Sequence, residues 1–580
     1  VGTRGGAHEI EQQTMEERAM LVVPGPYSVR TLTHVPVPMR DGVRLSADVY
    51  LPDGDGPFPT VLIRTPYQNN TDVLIQKGRR LANRGYACVI QDCRGRFDSE
   101  GEYYPFVADA EDGFDTQEWV GRQPWSNGRI GMAGSSYLGW VQWTSAVLGS
   151  QFLTCLAPRV MAPDLFSSLH YPGGAFMLNV LMTWGMRTSG RTAQSIDYDN
   201  WREAFRLLPL RDADRLAGRD LPFWRHWLDH PTRDAYWAAL DFESRLTEIG
   251  VPVLNMGGWY DLYSSATCRA FATLQTRGRT AAARRSRLIM GPWPHALSAS
   301  TRTGDIDFGA RSPVDLEALE ERWFEAWLKD VPNGILEEPP VRLFVMGANV
   351  WRDEHEWPLA RTDYQAWYLH SGGAANTAIG DGRLDRQVPG REPPDHFAYH
   401  PEHPVPTVGG NNCCSPHIVP WGPYDQRDVE MRQDVLCFTS APLEQDLEVT
   451  GPVTVVLHAA TDGPDTDWTA KLVDVWPSGF AMNLCDGIVR ARYRESQTAP
   501  TLLEPGAVYR YEIDVMVTSN VFRRGHRVRV EISSSNFPRF DRNFNSGESP
   551  SSGVRSRVAR QTVFHSAEQP SHVLLPVIPA

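Results

Sequence analysis

Basic residues are the scarcer charge in this chain. Lys and Arg number 57 against 70 Asp and Glu over 580 residues, a formal net charge of −13 at pH 7. No basic run offers a phosphate track, which excludes a nucleic-acid partner. The short cluster Arg284-Arg285-Ser286-Arg287 reads as a solvated turn before a strand. No apolar run approaches the length of a membrane span, so no membrane partner is expected. Cysteine is sparse as well, with eight residues at 88, 93, 155, 268, 413, 414, 437 and 485. No two have the C-x-x-C spacing of a zinc or redox motif, and most lie in apolar runs as expected for buried free thiols. The adjacent pair Cys413-Cys414 stands apart. A zinc site there needs more ligands, and only His417 is near in sequence, so no metal is expected. The amino terminus, VGTRGGAHEIEQQTMEERAM, lacks the apolar core of a signal peptide, and the expectation is a cytoplasmic protein. No internal repeat is present.

What remains is an ordinary globular composition, 41% hydrophobic and 22% charged, with 19 Trp. The chain is too long for a single core, and roughly two to four domains are expected. Residues 1–24 read as an extension. Val43, Leu45, Ala47, Val49 and Leu51 alternate with polar residues, as in an antiparallel strand with one polar face. Unbroken apolar runs follow at 61–63, 87–90, 130–133 and 153–156, with helical segments at about 72–84 and 108–121. In the second helix Phe114 and Trp119 are expected inside, and Asp109, Glu111, Asp115 and Glu118 outside. Strands alternating with helices give a doubly wound, mostly parallel α/β sheet. Residues 159–245 carry no clear strand and many large aromatics, and read as a helical cap insertion. The α/β pattern resumes with strands at 251–256 and 287–290. A helix at 312–329 follows, with Ser312 as its N-cap and Pro313 in its first turn. The hydrolase-like part therefore covers 25–158 and 246–335. From 336 to 580 the chain turns to strands and Pro/Gly-rich loops, as in a jelly-roll β-sandwich.

The stretch Arg129–Val147, RIGMAGSSYLGWVQWTSAV, reads as strand, sharp turn and helix with a serine at the apex. That is the form of a nucleophile elbow, although Gly139 stands three residues after Ser136 rather than two. A serine hydroxyl needs a base, a carboxylate to orient the base, and donors for the oxyanion. On a doubly wound sheet these lie past successive strand ends, in the chain order Ser, Asp, His. Asp261 follows the strand at 251–256 on Gly257-Gly258-Trp259-Tyr260, and His295 follows the next strand on Gly291-Pro292-Trp293-Pro294. The backbone N–H of Tyr137 is one oxyanion donor. Tyr67, in Arg64-Thr65-Pro66-Tyr67 after the strand at 61–63, is a candidate second donor or a packing aromatic.

The segments GSSYLG, RTPY, GGWYD and GPWPH, with QDCRGRFDSEGEY at 91–103 and DVLCFTSAPLEQDLEVTGPVTVVLHA at 434–459, resemble the cocaine esterase group. That group shares a family with the X-Pro dipeptidyl-peptidases and the α-amino acid ester hydrolases. The resemblance spans nearly the whole chain. It implies an α/β-hydrolase domain, a helical cap and a carboxyl-terminal jelly roll. It also implies Ser136 as nucleophile, His295 as base, Asp261 as its orienting acid, and Tyr67 and Tyr137 as oxyanion donors, with no cofactor.

Where the α-amino acid ester hydrolases carry part of an ammonium-binding carboxylate cluster, two and three residues after the acid, this chain has Tyr263 and Ser264. The resemblance therefore points to an uncharged acyl or aromatic group. Leu262, Tyr263, Tyr171, Phe176 and Trp184 are the candidate pocket residues. The expected activity is hydrolysis of an ester, or an amide, of a small acyl substrate. An acyltransferase with the same three residues, and a peptidase or α-amino acid ester hydrolase of the family, are the alternatives, and a homodimer stays open.

Overall fold

Short, unbroken apolar runs become the central strands of one ten-stranded sheet in the computed structural model, which describes residues 25–196, 200–297 and 300–579. The expected extension at 1–24 lies outside the described residues. The strands are β1 (Val29–Pro38), β2 (Arg44–Pro52), β3 (Phe58–Thr65), β4 (Ala87–Asp92), β5 (Ser126–Ser135), β6 (Leu153–Arg159), β7 (Leu254–Tyr260), β8 (Arg287–Pro294), β9 (Val341–Val345) and β10 (Val350–Glu354). Their spatial order is β1-β2-β4-β3-β5-β6-β7-β8-β9-β10. The strands from β4 to β9 pair in parallel, and β1, β2 and β10 add antiparallel edges. Strands of such a sheet are covered on both faces, which is why β3, β4, β7 and β8 are buried at every residue. β2 is buried on both faces too, including Ser46, Asp48 and Tyr50, where one polar face was expected.

Helices α1 (Asp72–Asn83), α2 (Asp109–Gly121) and α3 (Tyr137–Ala146) fill the connections between strands. α2 keeps Glu111 exposed as its pattern predicts, but it does not bury Phe114 and Trp119 deepest. Asp109, Asp112, Thr116 and Gln117 are buried and Phe114 and Trp119 are only half-buried. The reason is a polar network: Arg64 on β3 donates to the Asp109 carbonyl and to Gln91 Oε1, which also accepts from Thr116. Between β6 and β7 the chain makes the cap, with α4 (Leu178–Thr188) and shorter turns around buried Trp224, Trp227 and Trp237. After β7 comes α5 (Ser264–Arg277), and after β8 comes α6 (Leu316–Leu328). The N-cap of α6 is Asp315, whose carboxylate accepts from Ala318 N, so the helix starts later than Ser312.

The remainder is a jelly-roll β-sandwich of eleven strands in one wrapped sheet, built around the long antiparallel pair Leu447–Thr461 and Tyr509–Phe522. Strands Asp363–His370 and Asp395–Tyr399 also belong to it, although that stretch offers little alternation. One expected boundary moves. β9 and β10 fall beyond residue 336, yet β9 pairs in parallel with β8 (Val341 opposite Leu288), so the hydrolase sheet extends to Glu354. The cap is bound to the sandwich by Phe176 N donating to Asp541 Oδ1, by Asp541 N donating to the Phe176 carbonyl, and by Asn179 N donating to the Pro538 carbonyl.

Candidate active site

Ser136 sits between the last residue of β5 and the first of α3 with φ +59° and ψ −125°, a backbone state that non-glycine residues avoid. The neighbours make that state possible. Gly134 has φ +138°, and a Cβ on it would lie 2.4 Å from Leu138 Cβ. At Gly139 a Cβ would meet Met161 Cβ at 2.9 Å, so the second glycine of the turn lets α3 press against the chain leaving β6. Ser136 N donates to the Arg159 carbonyl at 2.9 Å, tying the turn to that neighbouring strand. The strained serine is thus held by two glycines and one cross-strand bond.

β7 and β8 run four residues further than their apolar cores, to Tyr260 and Pro294. Asp261 and His295 are therefore the first residues past two adjacent parallel strands. His295 Nε2 lies 3.0 Å from Ser136 Oγ, and His295 Nδ1 lies 2.8 Å from Asp261 Oδ1. Asp261 is fully buried, and its backbone carbonyl accepts from Asn411 Nδ2 of the sandwich at 3.1 Å. With Nδ1 pointed at a carboxylate, Nε2 presents its lone pair to the serine. The arrangement can take the proton of Ser136 Oγ as that oxygen attacks a carbonyl carbon.

Two groups beside Ser136 can donate to an oxyanion. The N–H of Tyr137, at the first position of α3, precedes the helix's own hydrogen-bond ladder and is free for an oxyanion. The Tyr67 hydroxyl lines the same cavity as Ser136 and accepts from Trp184 Nε1 of the cap at 2.9 Å. Burial pushes the Tyr67 hydroxyl up to about 12, so it stays a donor at any working pH. The Tyr137 ring is fixed from behind: its hydroxyl donates to Asp109 Oδ2 at 2.6 Å and accepts from Phe106 N at 2.8 Å. Burial, countered in part by the Arg64 charge, raises Asp109 to about 6.

Above Ser136 lies a narrow cavity lined by Tyr67, Phe106, Ser136, Tyr137, Met161, Leu169, Val180, Leu181, Trp184, Tyr263, Cys413 and Cys414. None of these side chains is an acid or a base of ordinary charge. Phe106 stacks on Tyr137 at 4.9 Å and on Trp184 at 5.3 Å, forming one aromatic wall. Tyr263 lies against His295, with ring centroids 5.8 Å apart. Of the five candidate pocket residues, Trp184 and Tyr263 line this cavity and three do not. Tyr171 donates to the Trp227 carbonyl and packs on Phe166, Phe176 and Trp237. Phe176 is fully buried against Tyr171 and Trp224. Leu262 lines a separate, charged cleft beside Arg269 and Asp514. Cap cores and cap pockets use the same residue types, so composition alone could not separate them. Phe106, Asp109 and the two cysteines carried no positional signal, whereas the oddity of Cys413-Cys414 was itself visible.

Those cysteines are disulfide-bonded to each other, and the other six are free and buried. The sulfurs of Cys413 and Cys414 and a ring nitrogen of His295 all lie within 4.8 Å of one another.

The model of the X-Pro dipeptidyl-peptidase (S15) family matches residues 41–297, and that of the X-Pro dipeptidyl-peptidase C-terminal non-catalytic domain matches residues 333–574. A cocaine esterase from Rhodococcus sp. (strain MB1 Bresler) is 40% identical, over 96% of this chain and 100% of that protein. The chain belongs to the X-Pro dipeptidyl-peptidase (S15) family. Among solved structures, an α-amino acid ester hydrolase superposes with a TM-score of 0.82 at 27% identity, covering 96% of this chain and 97% of the other. An aminopeptidase from a marine sediment Thaumarchaeota archaeon gives 0.81 at 26% identity over the same shares. No described helix is long and apolar enough to cross a membrane.

Proposed function

We propose that the protein is a serine carboxylesterase acting on small esters with an uncharged acyl group. The observation that carries this reading is the hydrogen-bonded series Ser136–His295–Asp261, at 3.0 and 2.8 Å, beneath a cavity without a charged lining side chain. Ser136 Oγ attacks the ester carbonyl while His295 takes its proton. Tyr67 O–H and Tyr137 N–H hold the oxyanion, and Asp261 stabilises the imidazolium. His295 then protonates the leaving alcohol, and water activated by the same imidazole hydrolyses the acyl-enzyme.

The neutral lining separates this reading from the amine-recognising relatives. A substrate ammonium entering that cavity sheds its hydration and finds no carboxylate in return. The kinship to a cocaine esterase supports the ester preference. We also propose a cytoplasmic setting, on the strength of the six free, buried thiols.

The test is a panel of neutral esters, matched amides and α-amino esters of the same acyl size, with a fluorophosphonate probe beside it. Neutral esters turn over fastest, and labelling vanishes in Ser136→Ala. Labelling that survives in Ser136→Ala removes the nucleophile, a preference for α-amino esters removes the substrate class, and transfer to an added alcohol outrunning hydrolysis makes the protein an acyltransferase.

A further inference from the structure

The Cys413–Cys414 pair takes no part in the acyl chemistry, yet it forms a wall of the cavity beside Ser136. We propose that Cys413, Cys414 and His295 form a redox-gated site for a soft divalent cation such as Zn²⁺ or Cd²⁺, open to the ion only when the sulfur–sulfur bond is reduced.

Three observations carry the proposal. The first is the donor set. Two thiolates and an imidazole are a combination that selects zinc-like ions over Mg²⁺ or Ca²⁺. Their ligand atoms lie within 4.8 Å of one another, and donors around a tetrahedral zinc stand roughly 3.5 Å apart. Once the bond is broken, the two sulfurs separate and each turns toward His295, which brings all three onto one ion and leaves its fourth position to water. The second is the state of His295. Its Nδ1 is already engaged by Asp261, so Nε2 is the nitrogen that faces the cavity. A carboxylate on the far ring nitrogen is also the arrangement that orients metal-binding histidines. The third is the loop that carries the cysteines, which is held independently of the sulfur bond. Asn411 Nδ2 donates to the carbonyls of Trp259 and Asp261 at 2.8 and 3.1 Å. From the cap, Arg187 donates to the Cys414 carbonyl and to Ser415 Oγ at 3.2 and 3.3 Å. Reduction therefore leaves both sulfurs beside His295.

The chemistry balances with a dithiol as reductant. The Cys413–Cys414 bond breaks, each sulfur gains one electron and one proton, and the dithiol closes to its own disulfide. The ion then displaces the two thiol protons to solvent and binds His295 Nε2 in place of Ser136 Oγ. A metal-held Nε2 has no lone pair for the serine proton, so hydrolysis stops. Only this inhibitory consequence rests on the proposed function, because ion binding needs the three ligands alone.

The experiment uses the full chain, one portion oxidised and one reduced with a phosphine and then desalted without air, each titrated with Cd²⁺. The reduced protein takes up one Cd²⁺ and gains a thiolate-to-cadmium charge-transfer band in the ultraviolet, and the oxidised protein does neither. Ester hydrolysis falls in proportion to the metal-loaded fraction and returns with a chelator. Cys413→Ser/Cys414→Ser loses the band, which also subtracts the six buried thiols. His295→Ala keeps the band at weaker affinity, and Ser136→Ala binds as the parent does. A reduced protein without the band, equal uptake in both redox states, or unchanged affinity in His295→Ala overturns the proposal. Fluorophosphonate labelling of metal-free protein is read separately, so a failed nucleophile is not mistaken for a failed metal site.

Discussion

Tyr67 is held between the elbow and the cap. Its hydroxyl accepts from Trp184 and, pushed up to about 12 by burial, keeps its own proton. Replacing it by Phe removes the proposed oxyanion donor with little change in shape. Turnover is expected to fall about 10²–10³-fold, or about 2.7–4 kcal/mol, with KM nearly unchanged. Steady-state kinetics on a neutral ester checks this, and an unaltered turnover removes Tyr67 from the mechanism. Asp109 makes a second prediction at this scale. Burial holds its proton up to about 6 in the folded chain, against an ordinary value of 3.8. The folded state binds more protons between those values, so its stability is greatest below 3.8 and declines as pH rises to about 6. Asp109→Asn keeps an acceptor for the Tyr137 hydroxyl and cannot titrate. Its unfolding free energy relative to the parent, read from denaturant melts at each pH, is expected to climb across that window by an amount on the order of 3 kcal/mol. A constant offset from pH 4 to 7 contradicts the assignment.

At the scale of elements, the cap contains an acid-sensitive group. His170 lies fully buried among Phe106, Trp227 and Trp237, and burial lowers it from 6.5 to about 3. An unfolded chain takes up this proton near 6.5, and the folded cap refuses it until about 3. The cap's stability is therefore complete above 6.5 and is lost as pH falls through that range. His170→Gln keeps an N–H toward the Leu165 carbonyl and is expected to flatten the acid limb by several kcal/mol. Tryptophan fluorescence during acid titration follows it, and identical acid limbs in the two proteins refute it.

The elements differ in how readable they were. Unbroken apolar runs such as Val61-Leu62-Ile63 and Leu288-Ile289-Met290 announce strands because both faces of a parallel sheet are covered. Ser136, Asp261 and His295 were legible for the same reason, since each follows a strand that could be seen. α2 was misread because Arg64 pulls Asp109 and its neighbours inward, a pairing across 45 residues that no local pattern contains. Asp315 won the α6 cap from Ser312 because its carboxylate reaches Ala318 N. The aromatic cap hid its pocket: Trp184 and Phe176 are both buried in one apolar cluster, and only the fold decides which of them faces Ser136.

The whole molecule works as one body around the acid loop. Asn411 belongs to the carboxyl-terminal segment, matched to a domain described as non-catalytic, yet it bonds the carbonyls of Trp259 and Asp261. Tyr260, the last residue of β7, donates to the Asn483 carbonyl of the sandwich. Asn411→Ala leaves two buried carbonyls without this donor, a loss of about 0.5–1.5 kcal/mol for each bond. Turnover is expected to fall while fluorophosphonate still labels Ser136 slowly, because Asp261 loosens and the nucleophile stays in place. Full turnover in a folded Asn411→Ala protein denies the sandwich any part in positioning the acid.

The passage of β9 and β10 into the first sheet bears on how relatives can exchange parts. The carboxyl-terminal family model begins at residue 333, whereas the sheet ends at Glu354. A chimera joined at 333 makes its hydrolase sheet from two parents, with the β8–β9 ladder as the seam. A chain stopped at 332 bares the whole β8 edge, an invitation to aggregate. Joining after Glu354, in the loop before Asp363, keeps each sheet from a single parent. Soluble yield of the two chimeras is expected to favour the later junction. In this chain, the boundary between whole modules lies some twenty residues past the point that sequence similarity marks.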